Sequence, residues 1–144
     1  MTNTDINSSQ ASRLFLLSCV ALTVTAMTFG IRAGILGQLG IEFDLTNEQL
    51  GYVNLMAFWG FPLATMFGGV LYNAIGARAL IWIAFACHLL GLVLTIYAQS
   101  FWGLMLSSLF IGFANGSVEA GCNPVIADLF KNNKTTMLNK FHVW

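Results

Sequence analysis

Four long apolar runs constrain what this chain can fold into more than any other feature of its sequence. The runs cover about residues 14–38, 49–73, 78–98 and 101–129. Each is long enough for the roughly 20 helical residues that cross a bilayer. A further run begins at about residue 136 and stops at Trp144, so we expect the sequence to be part of a longer one. The pattern predicts an all-α membrane protein with four transmembrane helices plus the start of a fifth, after a polar tail at residues 1–13.

The composition points to the same class of protein. Hydrophobic residues make up 57% of the chain and charged residues 8%, and the mean hydropathy is +0.74, which is beyond the range of a soluble domain of this length. The formal net charge is zero, so the chain has no basic field to hold nucleic acid. The three cysteines fall in apolar runs without the spacing of a zinc site. We therefore expect the lipid bilayer as a partner, and no nucleic acid, metal or other cofactor.

The charged residues between the runs predict the orientation of the helices. The acidic residues between the first two runs are Glu42, Asp44 and Glu48. The basic residues in the tail and the other polar segments are Arg13, Arg78, Lys131, Lys134 and Lys140. Because cytoplasmic loops carry an excess of Lys and Arg, we expect a cytoplasmic N-terminus in a plasma (inner) membrane. Thr46 and Gln49 form a capping-box pattern that opens the second helix.

The fourth run carries a polar stripe. Asn115, Glu119 and Asn123 are four residues apart and share one helix face, which Ser108 extends outward. An ionisable group in a membrane helix is costly and usually faces a cavity, so the stripe is a candidate substrate site, with Glu119 as its central residue. The alternative is a structural carboxylate held by neighbouring helices. Pro124 is predicted to kink the helix and to free the carbonyl of Ala120.

The first run carries a second buried charge. Arg32 shares a helix face with Thr28 and Thr25, and it is either a substrate-binding guanidinium or a side chain that snorkels to the outer headgroups. Counting about 1.5 Å per residue places Arg32 roughly 9 Å above the membrane centre and Glu119 roughly 6 Å below it. We therefore expect separate roles rather than a direct pair. The same count places Asn54 at about the membrane depth of Arg32, so Asn54 is a secondary candidate for substrate binding.

Other features of the helices are less specific. His88 lies near the middle of the third run with no charged neighbour at helical spacing, which favours a neutral structural role. Two G-x-x-x-G pairs, Gly30/Gly34 and Gly112/Gly116, lie in the helices that carry Arg32 and Glu119 and predict close helix packing.

The segment GGVLYNAIGAR, residues 68–78, resembles the loop signature of the major facilitator superfamily between its second and third helices. Gly69, Gly76 and Arg78 match the signature. Asn73 stands where the family has an acid, and Ala74 stands where it has the first base. The resemblance implies that Gly69, Asn73, Gly76 and Arg78 form a gating loop.

The fourth run, GFANGSVEAGCNPVIADLF, is similar to the fourth helix of the fucose/glucose–proton symporter-like branch of that superfamily. Glu119, Asn123 and Pro124 match its glutamate followed by Asn-Pro. The resemblance implies sugar binding and proton coupling for Glu119. It also implies that the chain is part of the N-terminal six-helix bundle of a twelve-helix facilitator, whose remaining helices complete the site. That branch has a carboxylate in its first helix near the position of Arg32-Ala33-Gly34 in this chain, and its absence here suggests either an anionic substrate, such as a sugar acid or other carboxylate, or a different coupling scheme.

The leading hypothesis is a secondary active transporter of a small polar solute, a sugar or an organic anion, that works by alternating access with proton coupling. A second hypothesis is a complete four-helix exporter of the multidrug type, and a third is a membrane scaffold subunit whose polar stripe holds helices together. The sequence has no nucleophile–base pair, metal cluster or phosphate loop, so no enzyme is predicted.

Overall fold

The computed structural model describes residues 7–143, which form three long helices and two short ones. The helices are α1 (Ser8–Glu42), α2 (Asn47–Ile96), α3 (Phe101–Leu129), a 3-10 turn (Lys131–Asn133) and α4 (Lys134–His142). The first three are long and apolar enough to cross a membrane. The fold of the described residues is therefore all-helical, as predicted, and typical of an integral membrane protein.

Helix α1 is longer than the apolar run from which it was predicted. It begins at Ser8 rather than near residue 14, because Asn7 and Gln10 form a capping box: the side chain of Asn7 accepts from the backbone N–H of Gln10 at 2.8 Å. Apolar residues mark the part of a helix that lies in the bilayer and not its ends, so a polar first turn escaped the prediction. The predicted tail at residues 1–13 is helical from Ser8 onward, and residues 1–6 lie outside the described part of the chain.

Helix α2 covers the two helices predicted at residues 49–73 and 78–98. It opens with the expected capping box at Thr46, and its one non-helical residue is Gly76, with φ 80° and ψ 167°. We call residues 47–75 the first arm and residues 77–96 the second arm. A straight helix of this length would measure about 75 Å, more than twice the roughly 30 Å of a hydrocarbon core. The number of membrane crossings thus depends on what the chain does at Gly76.

The two arms pack against α3 in opposite directions. On the first arm, Gly60 lies against the backbone of Gly112, and Gly68 lies against Ala120. The residue numbers of the two helices rise together, so this arm runs parallel to α3. On the second arm, Leu80 lies beside Gly121, whereas Gly91 lies beside Ile111. Here the residue numbers of the second arm rise as those of α3 fall, so the second arm is antiparallel to α3. The chain therefore reverses its direction at Gly76.

Helix α1 also runs antiparallel to α3. Its N-terminal half packs with Cys122 through Cys19, and its C-terminal half reaches Ser108 through Arg32. The consecutive segments α1, first arm, second arm and α3 therefore alternate in direction, with α3 in contact with all three of the others.

Glycines allow the closest of these contacts. A Cβ on Gly112 would collide with the backbone of Ala57, and one on Gly116 would collide with the backbone of Phe61. This pair therefore sits where two helices approach each other, as its spacing predicted. The pair Gly30/Gly34 does not, because a Cβ on either glycine would meet no atom within 4 Å among the described residues.

Two apolar clusters close the two ends of the bundle. One joins Cys19, Val118 and Ile126 with Phe141 of α4, which brings α4 against the N-terminal end of α1. The other joins Leu39, Val53 and Leu104. The buried polar groups lie between these clusters, so they are enclosed in the interior.

Candidate functional site

Arg32 points into the bundle. Only 5% of the residue is exposed, and its Nη2 donates to the carbonyl of Val53 at 3.1 Å and to the hydroxyl of Ser108. Its Nε is buried without a hydrogen-bond partner among the described residues. These contacts tie the side chain to α3 and the first arm, so it does not snorkel toward headgroups. A guanidinium held by neutral acceptors keeps its positive charge available to an anion.

Asn115 is the most enclosed member of the predicted stripe. It is 0% exposed, and its Oδ1 lies 2.7 Å from Nε2 of His88 and 3.3 Å from the hydroxyl of Thr28. The other ring nitrogen of His88 lies 3.1 Å from the carbonyl of Ala84. The hydrogen bonds among Thr28, His88 and Asn115 thus connect α1, the second arm and α3.

His88, for which the sequence favours a structural role, is hydrogen-bonded to residues of two other helical segments. Its partners, Thr28 and Asn115, lie on other helices, so no spacing within its own helix could reveal them. The available signal was its position near the middle of an apolar run, since an ionisable residue at membrane depth is a functional candidate by default. Ser108 was noticed only as an extension of the stripe, but it is the hydroxyl that contacts Arg32.

Glu119 and Asn123 are less covered than Asn115. Both are half-buried, and Oδ1 of Asn123 is buried without a partner among the described residues. Residues four apart on a helix drift by about 40° per step, so the stripe turns through about 80° between Asn115 and Asn123. The structure therefore groups Asn115 with His88 and leaves Glu119 and Asn123 on a more open face.

Arg32 and Glu119 lie at different depths. Arg32 contacts α3 at Ser108, which is about 16 Å along the helix from Glu119. Asn54 follows Val53, whose carbonyl accepts from Arg32, so Asn54 lies at the level of Arg32 and is half-buried there. A cavity of about 90 Å³ adjoins Arg32, lined also by Thr28 and Thr95. That volume suits a few water molecules and is too small for a sugar.

The residues of the predicted gating loop lie at and on both sides of the point where the chain reverses its direction. Gly76 makes the turn, and Gly69, Asn73 and Arg78 are exposed. Pro124 lies inside α3, which continues from Phe101 to Leu129 without interruption. Among residues 7–143, no three His, Cys, Asp or Glu side chains come together as a metal site would require.

These helices and their enclosed polar groups define an integral membrane protein with a polar interior. Residues 14–141 match the family model of the Major Facilitator Superfamily, and the chain belongs to that family. This assignment agrees with the superfamily that the loop signature resembles.

One relative matches over most of this chain. It is the "Solute carrier family 2, facilitated glucose transporter member 10" of Xenopus tropicalis, which is 29% identical over 110 residues. The match covers 76% of this chain and 20% of that protein, so the chain spans about a fifth of the length of its relative. No solved structure matches.

Proposed function

We propose that this chain is the N-terminal part of a secondary active transporter that moves a small polar solute across the membrane by alternating access. Membership of the facilitator family supports transport, and the name of the Xenopus relative refers to glucose. The solute is a sugar, a sugar acid or another organic anion. The remaining helices of the same transporter complete the cavity, because the space beside Arg32 is too small for such a solute.

In this proposal α1, the two arms and α3 are four membrane crossings, and α4 opens a fifth. The alternating directions of the four segments support this arrangement, because consecutive crossings of a bilayer must run in opposite senses. Arg13 and Lys131 lie near the end of the bundle that Phe15, Phe130 and Phe141 close. That end is cytoplasmic under the positive-inside rule, in the plasma membrane.

The solute site consists of Arg32, Asn54, Asn115, Glu119 and Asn123. The observation that carries the assignment is the burial of Arg32 against neutral acceptors. A membrane protein retains such a costly group where it serves a function, and a guanidinium suits the carboxylate of a sugar acid. Asn115 and Asn123 each keep one buried amide atom without a partner among the described residues, and those atoms suit the hydroxyls of a sugar.

Glu119 is the proton-coupling residue. It is the acidic member of the stripe and lies on its open face, half-buried, where a proton and a solute can both reach it. The similarity of its helix to the proton symporter branch supports this role. The competing mechanism is facilitated diffusion without protons, and the Xenopus relative is named a facilitated glucose transporter.

The test is the variant Glu119→Gln in the full-length transporter, reconstituted in liposomes. We expect loss of solute accumulation driven by a pH gradient, while exchange of labelled for unlabelled solute continues, because exchange needs no net proton movement. Asp128→Asn is the matched control, since Asp128 is an exposed acid on the same helix.

Two results would contradict coupling through Glu119. One is a Glu119→Gln protein that still accumulates solute with the same pH dependence. The other is a wild-type protein whose transport ignores the pH gradient, which would favour facilitated diffusion. Offering a neutral sugar and its sugar acid in the same exchange assay identifies the class of solute.

A further inference from the structure

The side chains of Thr28, His88 and Asn115 lie within hydrogen-bonding distance of one another. The transport mechanism proposed above assigns no role to a proton on the imidazole of His88. We call these three residues the amide–imidazole cluster. His88 is 8% exposed and Asn115 is 0% exposed, and each of the three residues comes from a different helical segment. The hydrogen positions in this cluster depend on the charge of the imidazole, as the donors and acceptors around it show.

The ring nitrogen Nδ1 of His88 carries a hydrogen. It lies 3.1 Å from the carbonyl oxygen of Ala84, and a carbonyl can only accept. A neutral imidazole has one N–H, so its Nε2 then holds a lone pair and requires a donor. A protonated imidazole has an N–H at Nε2 as well, and that N–H requires an acceptor.

The partner of Nε2 is the side-chain amide of Asn115, which offers an acceptor at one end and a donor at the other. In the structure the acceptor Oδ1 faces His88 at 2.7 Å, the arrangement that suits the protonated ring. Turning the amide by 180° brings Nδ2 to His88, the arrangement that suits the neutral ring.

Thr28 is compatible with both arrangements. Its hydroxyl lies 2.8 Å from the carbonyl of Thr25 and 3.3 Å from the amide of Asn115. With the neutral ring the hydroxyl donates to Thr25 and accepts from Nδ2 of Asn115. With the protonated ring it donates to either oxygen. The contacts among these three side chains can therefore be satisfied in two patterns that differ by one proton.

We propose that His88 is a proton-binding site whose charge sets the orientation of the Asn115 amide. The end of the amide that faces away from His88 is Nδ2 in the structure, buried and without a partner among the described residues. This free end is a donor when His88 is protonated and an acceptor when His88 is neutral. Protonation on one side of Asn115 thus changes what its other side offers to a ligand or a water molecule.

On α1, Arg32 lies one turn beyond Thr28, and on α3, Glu119 lies one turn beyond Asn115. Cys87 precedes His88 on its own segment, and Cys19 and Cys122 lie in the apolar cluster that includes Ala84. The link from this cluster to solute binding rests on the proposed function, whereas the coupling of proton and amide does not.

The test is nitrogen-15 NMR of the protein in lipid nanodiscs, with labelled histidine and asparagine. The full-length transporter is used, and His88→Gln assigns the imidazole signals of His88 by their loss. As the pH is lowered, we expect Nε2 to change from a lone-pair to an N–H signal. We expect the side-chain amide signals of Asn115 to shift over the same pH range.

Two variants complete the test. Asn115→Ala assigns the amide signal by its loss, and Asn123→Ala should leave the coupled shift in place. The proposal is overturned by an imidazole that keeps one protonation state over the range, or by Asn115 signals that stay constant while His88 titrates. Because neither readout involves transport, failure here leaves the Glu119 experiment intact, and failure of that experiment leaves this one intact.

Discussion

Individual residues in this protein depend on partners that lie far away in the chain. Arg32 bonds Ser108, and Thr28 meets His88 and Asn115. The sequence identified Arg32 and Asn115 as costly in an apolar helix, because that follows from residue type alone. It could not identify their partners, because helical spacing describes neighbours on one helix only.

Two adjacent serines make it possible to measure how much one of these hydrogen bonds contributes to the free energy of unfolding. Ser107 and Ser108 are both 0% exposed, and both hydroxyls donate to the carbonyl of Leu104, but Ser108 also accepts from Arg32. Ser108→Ala leaves part of a buried guanidinium without an acceptor, so we expect it to lower the free energy of unfolding by about 1–3 kcal/mol.

The matched control is Ser107→Ala, which removes a hydroxyl bonded only within its own helix and should cost less than about 1 kcal/mol. Denaturation followed by circular dichroism in detergent gives both values. Equal losses for the two variants would mean that the contact between Ser108 and Arg32 adds no stability.

At the scale of whole elements, the division of α2 into two arms depends on Gly76. Its φ of 80° with ψ 167° lies in a region that is almost restricted to glycine, since a Cβ clashes there with the backbone. The sequence predicted two helices here from a break between apolar runs. It did not show that the turn is so tight that a single residue leaves the helical conformation.

We expect Gly76→Ala to destabilise the protein by about 1–3 kcal/mol, because alanine would be strained at this backbone conformation. Gly69→Ala is the comparison, since Gly69 is exposed, helical and without neighbours near its Cβ position. There alanine should be neutral or stabilising by up to about 1 kcal/mol, through its higher helix propensity. Thermal unfolding of the two variants under the same conditions measures the difference, and a Gly76→Ala protein as stable as the wild type would contradict the strained turn.

At the scale of the whole molecule, the acidic loop around Asp44 and the basic residues Arg13 and Lys131 lie at opposite ends of the bundle. The loop with Asp44 joins the apolar cluster of Leu39 and Leu104 through its neighbours Phe43 and Leu45. Arg13 and Lys131 flank the phenylalanines Phe15 and Phe130 of the other cluster. This separation is what a bundle oriented by the positive-inside rule requires.

Cysteine labelling tests that orientation. Single cysteines at Asn47 and Gln99 should react with a membrane-impermeant thiol reagent added outside intact cells, and those at Ala74 and Asn132 only after the membrane is opened. All four positions are exposed, and the three natural cysteines are first replaced by alanine. Outside labelling at Ala74 with protection at Asn47 would invert the proposed orientation. Labelling of Asn47 and Gln99 from opposite sides would contradict a reversal of the chain at Gly76.

The sequence by itself determined the all-helical membrane class, the span of α3 and the residue types of the candidate site. Hydrophobicity and helical spacing are local properties that can be read along one chain, and α3 extends over Phe101–Leu129. Only the tertiary structure decided that Asn115 meets His88, that Arg32 turns inward to Ser108, and that Gly112 rather than Gly30 lies at a helix contact. The physical reason is that the depth and rotation of one helix against another are set by packing between distant segments, and no short stretch of sequence contains both sides of such a contact.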